Sequence, residues 1–246
     1  MDCDTLNVTT SDGERISFVH RHESGREVAV VLCHGFFKSK DTSTFRRLSD
    51  TLARGYDVVT MDFRGHGRSS GRYTFSAREG ADLEAVLAWM RPRYRSIGVL
   101  GFSLGAAVAI NTVSHHQDGV RSLIAVSAPV AFEEIEFKWW TAEAIRRGIQ
   151  GLEPGAGCRL GNLFLAKERP IERIRFIQGI PALFLHGTRD VIVEHRHSRR
   201  LYAAAADPKR LEIIEGGSHA EALFRDDPEG FMRVVSEWLS ATLPPA

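Results

Sequence analysis

Ile97-Gly98-Val99-Leu100-Gly101-Phe102-Ser103-Leu104-Gly105-Ala106-Ala107-Val108-Ala109-Ile110 decides the architecture of this chain. The first four residues are an apolar run that reads as a buried strand, and the residues from Leu104 onward read as a buried helix. Between them stands G-x-S-x-G, the pattern of a strained strand-to-helix turn that holds a serine hydroxyl at the top of a sheet. A serine forced into an unfavourable backbone region crowds the positions two before and two after it, and here both are glycine. The helix that follows aims its N-terminal N–H groups and the positive end of its dipole at Ser103. Small residues also surround serines in ordinary tight turns, so the pentapeptide takes its meaning from the rest of the chain.

Upstream, Glu27–Cys33 is a valine-rich apolar run, as expected of a strand buried on both faces. It ends in His34-Gly35-Phe36-Phe37, where the Phe36 N–H can join the Leu104 N–H as an oxyanion hole; the plainer reading is that His34-Gly35 merely ends a strand. Downstream, Pro181–Gly187 reads as a strand followed by Thr188-Arg189-Asp190, and Arg210–Ile214 as a strand followed by Glu215-Gly216-Gly217-Ser218-His219. An acid and a histidine therefore each sit just past a strand, in the chain order Ser103, Asp190, His219. That order differs from those of the chymotrypsin and subtilisin types.

With these stretches together, the chain resembles the α/β-hydrolases, and within them the small bacterial serine esterases, including feruloyl (cinnamoyl) esterase-like members. The resemblance is carried by His34-Gly35-Phe36, Met61-Asp62-Phe63-Arg64-Gly65-His66-Gly67-Arg68-Ser69, Gly101–Gly105, His186-Gly187-Thr188-Arg189-Asp190 and Gly217-Ser218-His219, in the family's order. It implies an α/β fold with a mostly parallel sheet of about eight strands flanked by helices, forming a single domain over residues 1–246. It also implies a Ser103–His219–Asp190 triad cleaving small or medium acyl esters through an acyl-enzyme, with oxyanion donors at Phe36 and Leu104 and no metal or organic cofactor. A thioesterase, a monoacylglycerol lipase-like enzyme or a small peptidase would use the same machinery, because one such fold hosts many reactions. The competing class is a non-catalytic hydrolase-fold protein that binds a small ligand; such proteins often lose a triad member, and all three are present here.

The remaining elements fit this frame. Thr5–Thr9 and Arg15–His20 read as a hairpin joined at Ser11-Asp12-Gly13. Thr44–Arg54 reads as a helix, Asp57–Met61 as a strand, Ala77–Met90 as a helix and Ser122–Ser127 as a strand. Pro228–Thr242 places Phe231, Val234, Val235, Trp238 and Leu239 at helical spacing, a stripe suited to docking on a sheet. Residues 130–178 break the rhythm, with no convincing strand, a helix-like Thr141–Ile149 and Trp139-Trp140. The family commonly inserts a cap at this point, so the segment is expected to form a small helical lid. Its two tryptophans either contact substrate or anchor the lid to the body.

Composition narrows the classes. Lys plus Arg is 32 against 31 for Asp plus Glu, a balance that gives no reason to expect nucleic acid or an anionic membrane as partner. No apolar run is long enough to span a bilayer, and Met1–Thr5 lacks the basic and apolar stretches of a secretory signal. Cys3, Cys33 and Cys158 form no zinc or redox pattern, which suits a reducing cytoplasm. The expected partner is a small-molecule ester, and the sequence carries no sign of an oligomeric state.

Rivals for each role are weaker. His34 and His186 follow apolar strands and could line the site, but each is better explained by a strand-end turn; His66 is read as part of a structural turn, and His115-His116 as the end of the helix after Ser103. Asp62 is expected to hold the Arg64–Gly67 turn. After the strand preceding the lid stands Ala128-Pro129 rather than an acid, which leaves Asp190 favoured, with Glu194 as the fallback.

Overall fold

The computed structural model describes residues 1–135 and 153–243. Eight strands form one sheet in the order β1-β2-β4-β3-β5-β6-β7-β8: β1 Asp2–Thr9, β2 Arg15–His22, β3 Val28–Cys33, β4 Asp57–Met61, β5 Ser96–Phe102, β6 Val120–Val126, β7 Ala182–Gly187 and β8 Lys209–Ile214. Only β1 and β2 run antiparallel to their neighbours; from β4 through β8 all pairings are parallel. The family expectation of a mostly parallel eight-stranded sheet is met.

The apolar runs are continuous because each central strand is covered on both sides. Along β3, Ala29, Val31 and Cys33 join one core while Val28, Val30 and Leu32 join the other. The first core is closed by α2 (Glu79–Met90), α3 (Leu104–His115) and α5 (Arg196–Ala204). The second is closed by α1 (Ser43–Leu52) and, after the short α6 (Ala222–Asp226), by α7 (Pro228–Thr242). Of the stripe read on α7, Phe231, Val235, Trp238 and Leu239 are buried, and Val234 packs at the margin. The Trp238 indole N–H donates to the Ser122 hydroxyl at 3.1 Å, so its one polar atom is satisfied inside.

Element ends differ from the sequence reading by a few residues. The hairpin strands extend to Asp2 and His22, and β6 starts at Val120 and ends at Val126. A further short helix, α4 (Pro170–Arg173), had no apolar period to announce it. Helix-like Thr141–Ile149 and Trp139-Trp140 lie outside the described residues. The described residues on either side of that stretch are tied to the rest of the molecule. Glu153 accepts from the Thr44 backbone N–H at 3.0 Å and from the Ser43 and Thr44 hydroxyls, both at 2.7 Å, capping the first turn of α1 from across the chain. Arg159 joins the loop after β4 through two backbone bonds, accepting from Tyr73 N–H and donating to Gly65 O, both at 2.8 Å, and Ile171 N–H donates to Val130 O at 3.1 Å.

The β5–α3 turn sets the tightest packing. Ser103 has φ 52 and ψ −121. A Cβ at Gly101 would stand 2.6 Å from Ala106 Cα, and one at Gly105 would collide with the carbonyl oxygens of Cys33 and His34. Replacing Gly105 with alanine is therefore expected to cost about 1–3 kcal/mol of stability, as other overpacked sites do. Urea unfolding should show it as a lower midpoint at unchanged slope.

Candidate functional site

Strand ends bring Ser103, Asp190 and His219 together at the carboxyl edge of the sheet, where ligands of open α/β sheets bind. The Ser103 hydroxyl lies 2.9 Å from His219 Nε2, and His219 Nδ1 lies 2.6 Å from Asp190 Oδ2. Ser103 and Asp190 are each 7% exposed. The loops after β7 and β8 hold one another in register: Arg189 N–H donates to Gly217 O at 2.9 Å, and Thr188 N–H to Ile214 O at 3.0 Å. Ser127, just past β6 at φ 50, accepts from Ala220 N–H at 3.0 Å and pins the backbone after His219.

Asp190 accepts four N–H groups. Oδ1 takes the backbone amides of Ile192 at 3.0 Å and Val193 at 2.9 Å. Oδ2 takes His219 at 2.6 Å and His186 Nε2 at 3.1 Å. Burial opposes ionisation of this carboxyl, but the facing imidazoles of His219 and His186 outweigh it and hold Asp190 well below the usual carboxylate range. Burial likewise opposes charge on His219; the carboxylate of Asp190, with help from Glu221 and against Lys38, raises it above the ordinary histidine value of 6.5. Glu194, the fallback acid, pairs instead with Arg196 at 3.2 Å.

The oxyanion-hole candidates are also legible in the geometry. Leu104 is the first residue of α3, and neither its N–H nor that of Phe36 meets a hydrogen-bond acceptor among the described residues. The neighbouring Phe37 N–H is occupied, donating to His66 Nε2 at 3.3 Å. Burial depresses His66 to about 3, which keeps that nitrogen an acceptor, and its Nδ1–H donates to Arg64 O at 3.2 Å. His34 braces the same turn. Its Nδ1–H donates to Gly35 O at 2.7 Å and its Nε2 accepts from Phe63 N–H at 3.1 Å. Asp62 accepts the backbone amides of Lys40 at 2.7 Å and Arg68 at 2.9 Å and the Lys40 ammonium at 2.6 Å, the holding role read for it from sequence.

Apolar side chains stand beside these amides. Leu104 clusters with Tyr73, Phe75, Ile135 and Val193, and the Phe75 ring lies 5.0 Å from Phe36 and 4.9 Å from Phe132. The tryptophans read as lid contacts, Trp139 and Trp140, lie outside the described residues. Among the described residues one group could hold a metal ion. Asp4, His20 and His22 place ligand atoms within 4.8 Å of one another on the β1–β2 edge. The Nε2 atom of each ring already has a partner, the Tyr94 hydroxyl for His20 and Asp4 for His22. The two rings stack with centroids 4.3 Å apart and planes 15° from parallel.

The sequence reading set His186 aside as a strand-end residue and gave Ser127 no role. His186 stands four residues before the acid at the end of a buried strand, a spacing that could have marked it.

Comparison with known proteins agrees with this architecture. Residues 28–142 match the family model described as alpha/beta hydrolase fold. The uncharacterised protein Rv2307c of Mycobacterium tuberculosis is 32% identical over 236 residues, spanning 90% of this chain and 72% of its own. YfhR of Escherichia coli, also uncharacterised, is 23% identical, over 98% of this chain and 82% of its own. Among solved structures, the Pyrococcus furiosus esterase Pf2001 superposes with a TM-score of 0.80 at 23% identity, covering 98% of this chain and 92% of that one. The esterase RhEst1 from Rhodococcus sp. ECU1013 gives 0.78 at 22% identity, covering 97% and 99%. The chain belongs to the α/β-hydrolase family.

The electrostatics of the cluster can be read directly. Nuclear magnetic resonance titration of the His219 ring is expected to give a pKa above 6.5, and Asp190→Asn is expected to lower it. Because the folded value is raised, this pairing stabilises the fold below pH 6.5 and its contribution fades as pH climbs through the folded value.

Proposed function

We propose that this protein is a serine hydrolase that cleaves carboxylic esters through an acyl-enzyme. One observation carries the reading: a single hydrogen-bonded chain runs from the Ser103 hydroxyl through His219 to the Asp190 carboxylate. A serine hydroxyl is a weak nucleophile at neutral pH. His219 Nε2 is positioned to take its proton as Ser103 attacks the ester carbonyl, and to return that proton to the leaving alcohol. Asp190 fixes the tautomer with the proton on Nδ1 and stabilises the imidazolium as it forms. The N–H groups of Phe36 and Leu104, which have no acceptor among the described residues, receive the developing oxyanion, and a donor of this kind contributes roughly 3 kcal/mol. Water activated by His219 then releases the acyl group.

The acyl side of the substrate is read as apolar. Phe36, Phe75 and Phe132 form a chain of ring contacts next to Leu104, so a hydrocarbon or aromatic acid would be desolvated beside the oxyanion donors. This supports the feruloyl-esterase-like subtype over an enzyme for charged acids. Substrate contacts from Trp139 and Trp140 remain part of the proposal on sequence grounds. Three free cysteines suit a reducing compartment such as the cytoplasm.

A fluorophosphonate probe is expected to label the wild type and not Ser103→Ala. A folded wild type that takes no label points to the ligand-binding alternative. Phe75→Ala is expected to lower kcat/KM for hydroxycinnamate and medium-chain nitrophenyl esters about tenfold relative to acetate, the scale of one lost aromatic contact surface. Equal losses across the ester series would remove the aromatic wall from the account.

A further inference from the structure

His186 is fully buried on β7 and lies outside the Ser103–His219–Asp190 chain, yet it touches the acid directly. Its Nε2 stands 3.1 Å from Asp190 Oδ2 and 2.8 Å from the carbonyl oxygen of Val193. An ionised carboxylate and a backbone carbonyl only accept hydrogen bonds, so Nε2 carries a proton and shares it between them. The opposite nitrogen, Nδ1, lies 2.7 Å from the Ser198 hydroxyl on α5, which holds the ring plane. Tautomer and orientation are both determined by these neighbours.

We propose that His186 is a positioning residue for the triad, acting through Asp190, and this deepens the serine-hydrolase reading above. His186 and His219 donate to the same oxygen, Oδ2, while the backbone amides of Ile192 and Val193 hold Oδ1. The carboxylate is fixed at three points by residues of its own loop and strand, and only the fourth donor changes protonation during the reaction. Two effects follow. The His186 N–H stops the carboxylate from rotating about its Cβ–Cγ bond, which keeps an Oδ2 lone pair on the His219 Nδ1–H. It also draws off part of the negative charge on Oδ2, so His219 is held less tightly in its protonated form and gives its proton to the leaving group more readily. The other charged or titratable groups facing this cluster are Lys38 and Glu221 beside His219 and His197 beside His186. The hydrogen bonds to Asp190 come from Ile192, Val193, His186 and His219 among the described residues.

The test compares two substitutions. In His186→Leu the donor is gone, and in His186→Gln the amide nitrogen can stand where Nε2 stood and donate to both acceptors. His186→Leu is expected to lower kcat about tenfold to a hundredfold, the scale of a lost hydrogen bond to a charged group, with KM little changed. It should also move the acid limb of the pH–kcat/KM profile upward, because the undiluted carboxylate holds the His219 proton more tightly. His186→Gln is expected to restore the limb and to bring kcat within about threefold of wild type, as one retained donor of similar strength predicts. An unshifted or downward limb in folded His186→Leu overturns the proposal, and so does a glutamine variant no better than leucine. Should His186→Leu not fold, His219 titration by nuclear magnetic resonance in His186→Gln and Ser198→Ala decides. Ser198→Ala, which frees the ring, must move His219 upward while His186→Gln leaves it near wild type, and equal values in all three proteins overturn it. This titration needs no substrate. If the wild type neither labels nor hydrolyses esters while the His219 value responds as stated, the hydrolase reading fails and the coupling through Asp190 stands.

Discussion

The backbone of Ser103 sits at a positive φ that side-chain-bearing residues seldom adopt, and everything at the site is arranged around keeping it there. Such a conformation persists only where its surroundings over-determine it. Here α3 is pressed so closely onto the end of β3 that Gly105 lies against the carbonyls of Cys33 and His34, and Gly101 lies against Ala106. The turn before Phe36 is equally close, since a Cβ at Gly35 would stand 3.3 Å from both the Phe102 carbonyl oxygen and the Ser103 Cβ. One packing constraint thus presents the hydroxyl beside the loop that follows β3. Six parallel strands supply the rigidity, because their alternate side chains lock into two separate cores.

Below the turn after β4, charge does what apolar packing cannot. Arg64, almost fully buried, binds Asp82 at 2.7 Å and Asp12 at 2.7 Å, and Asp62 gathers Lys40 and two backbone amides. Breaking one partner of such a buried set leaves an uncompensated charge, a far larger penalty than the set's net contribution to stability. Asp12 belongs to the β1–β2 hairpin, so the edge of the sheet and the loop carrying His66 are tied together. His66 in turn occupies the Phe37 amide and leaves that of Phe36 open.

Much of this was legible in the chain because local rules and global fold agree. The valine-rich run before His34, the glycines flanking Ser103 and the five-residue stripe from Phe231 each carry their own mechanism, and the strands and helices fall within a few residues of those readings. Ser103, Asp190 and His219 could be named because each follows a strand in a fixed order, and parallel strands deliver their ends to one edge. His186 could not be separated from a strand-end residue by its position alone. Its significance depends on the turn at Gly187 folding Asp190 back over it, a relation visible only in three dimensions. Ser127 was hidden for a similar reason, since its partner Ala220 is 93 residues away. The short α4 lacks both an apolar period and enough length to declare itself.

Glu153 binds the first turn of α1 from far along the chain. Burial opposes its charge, but the Thr44 amide, the Ser43 and Thr44 hydroxyls and the nearby Lys38 ammonium prevail and bring its pKa down to about 2. A carboxylate this acidic stays anionic through any acidity a cell or lysate reaches. The contact that ties Glu153 to the first turn of α1 is therefore indifferent to protons, whereas the His219 ring, raised above 6.5, gains its proton on mild acidification, so the two ends of the same sheet edge answer differently to a fall in pH.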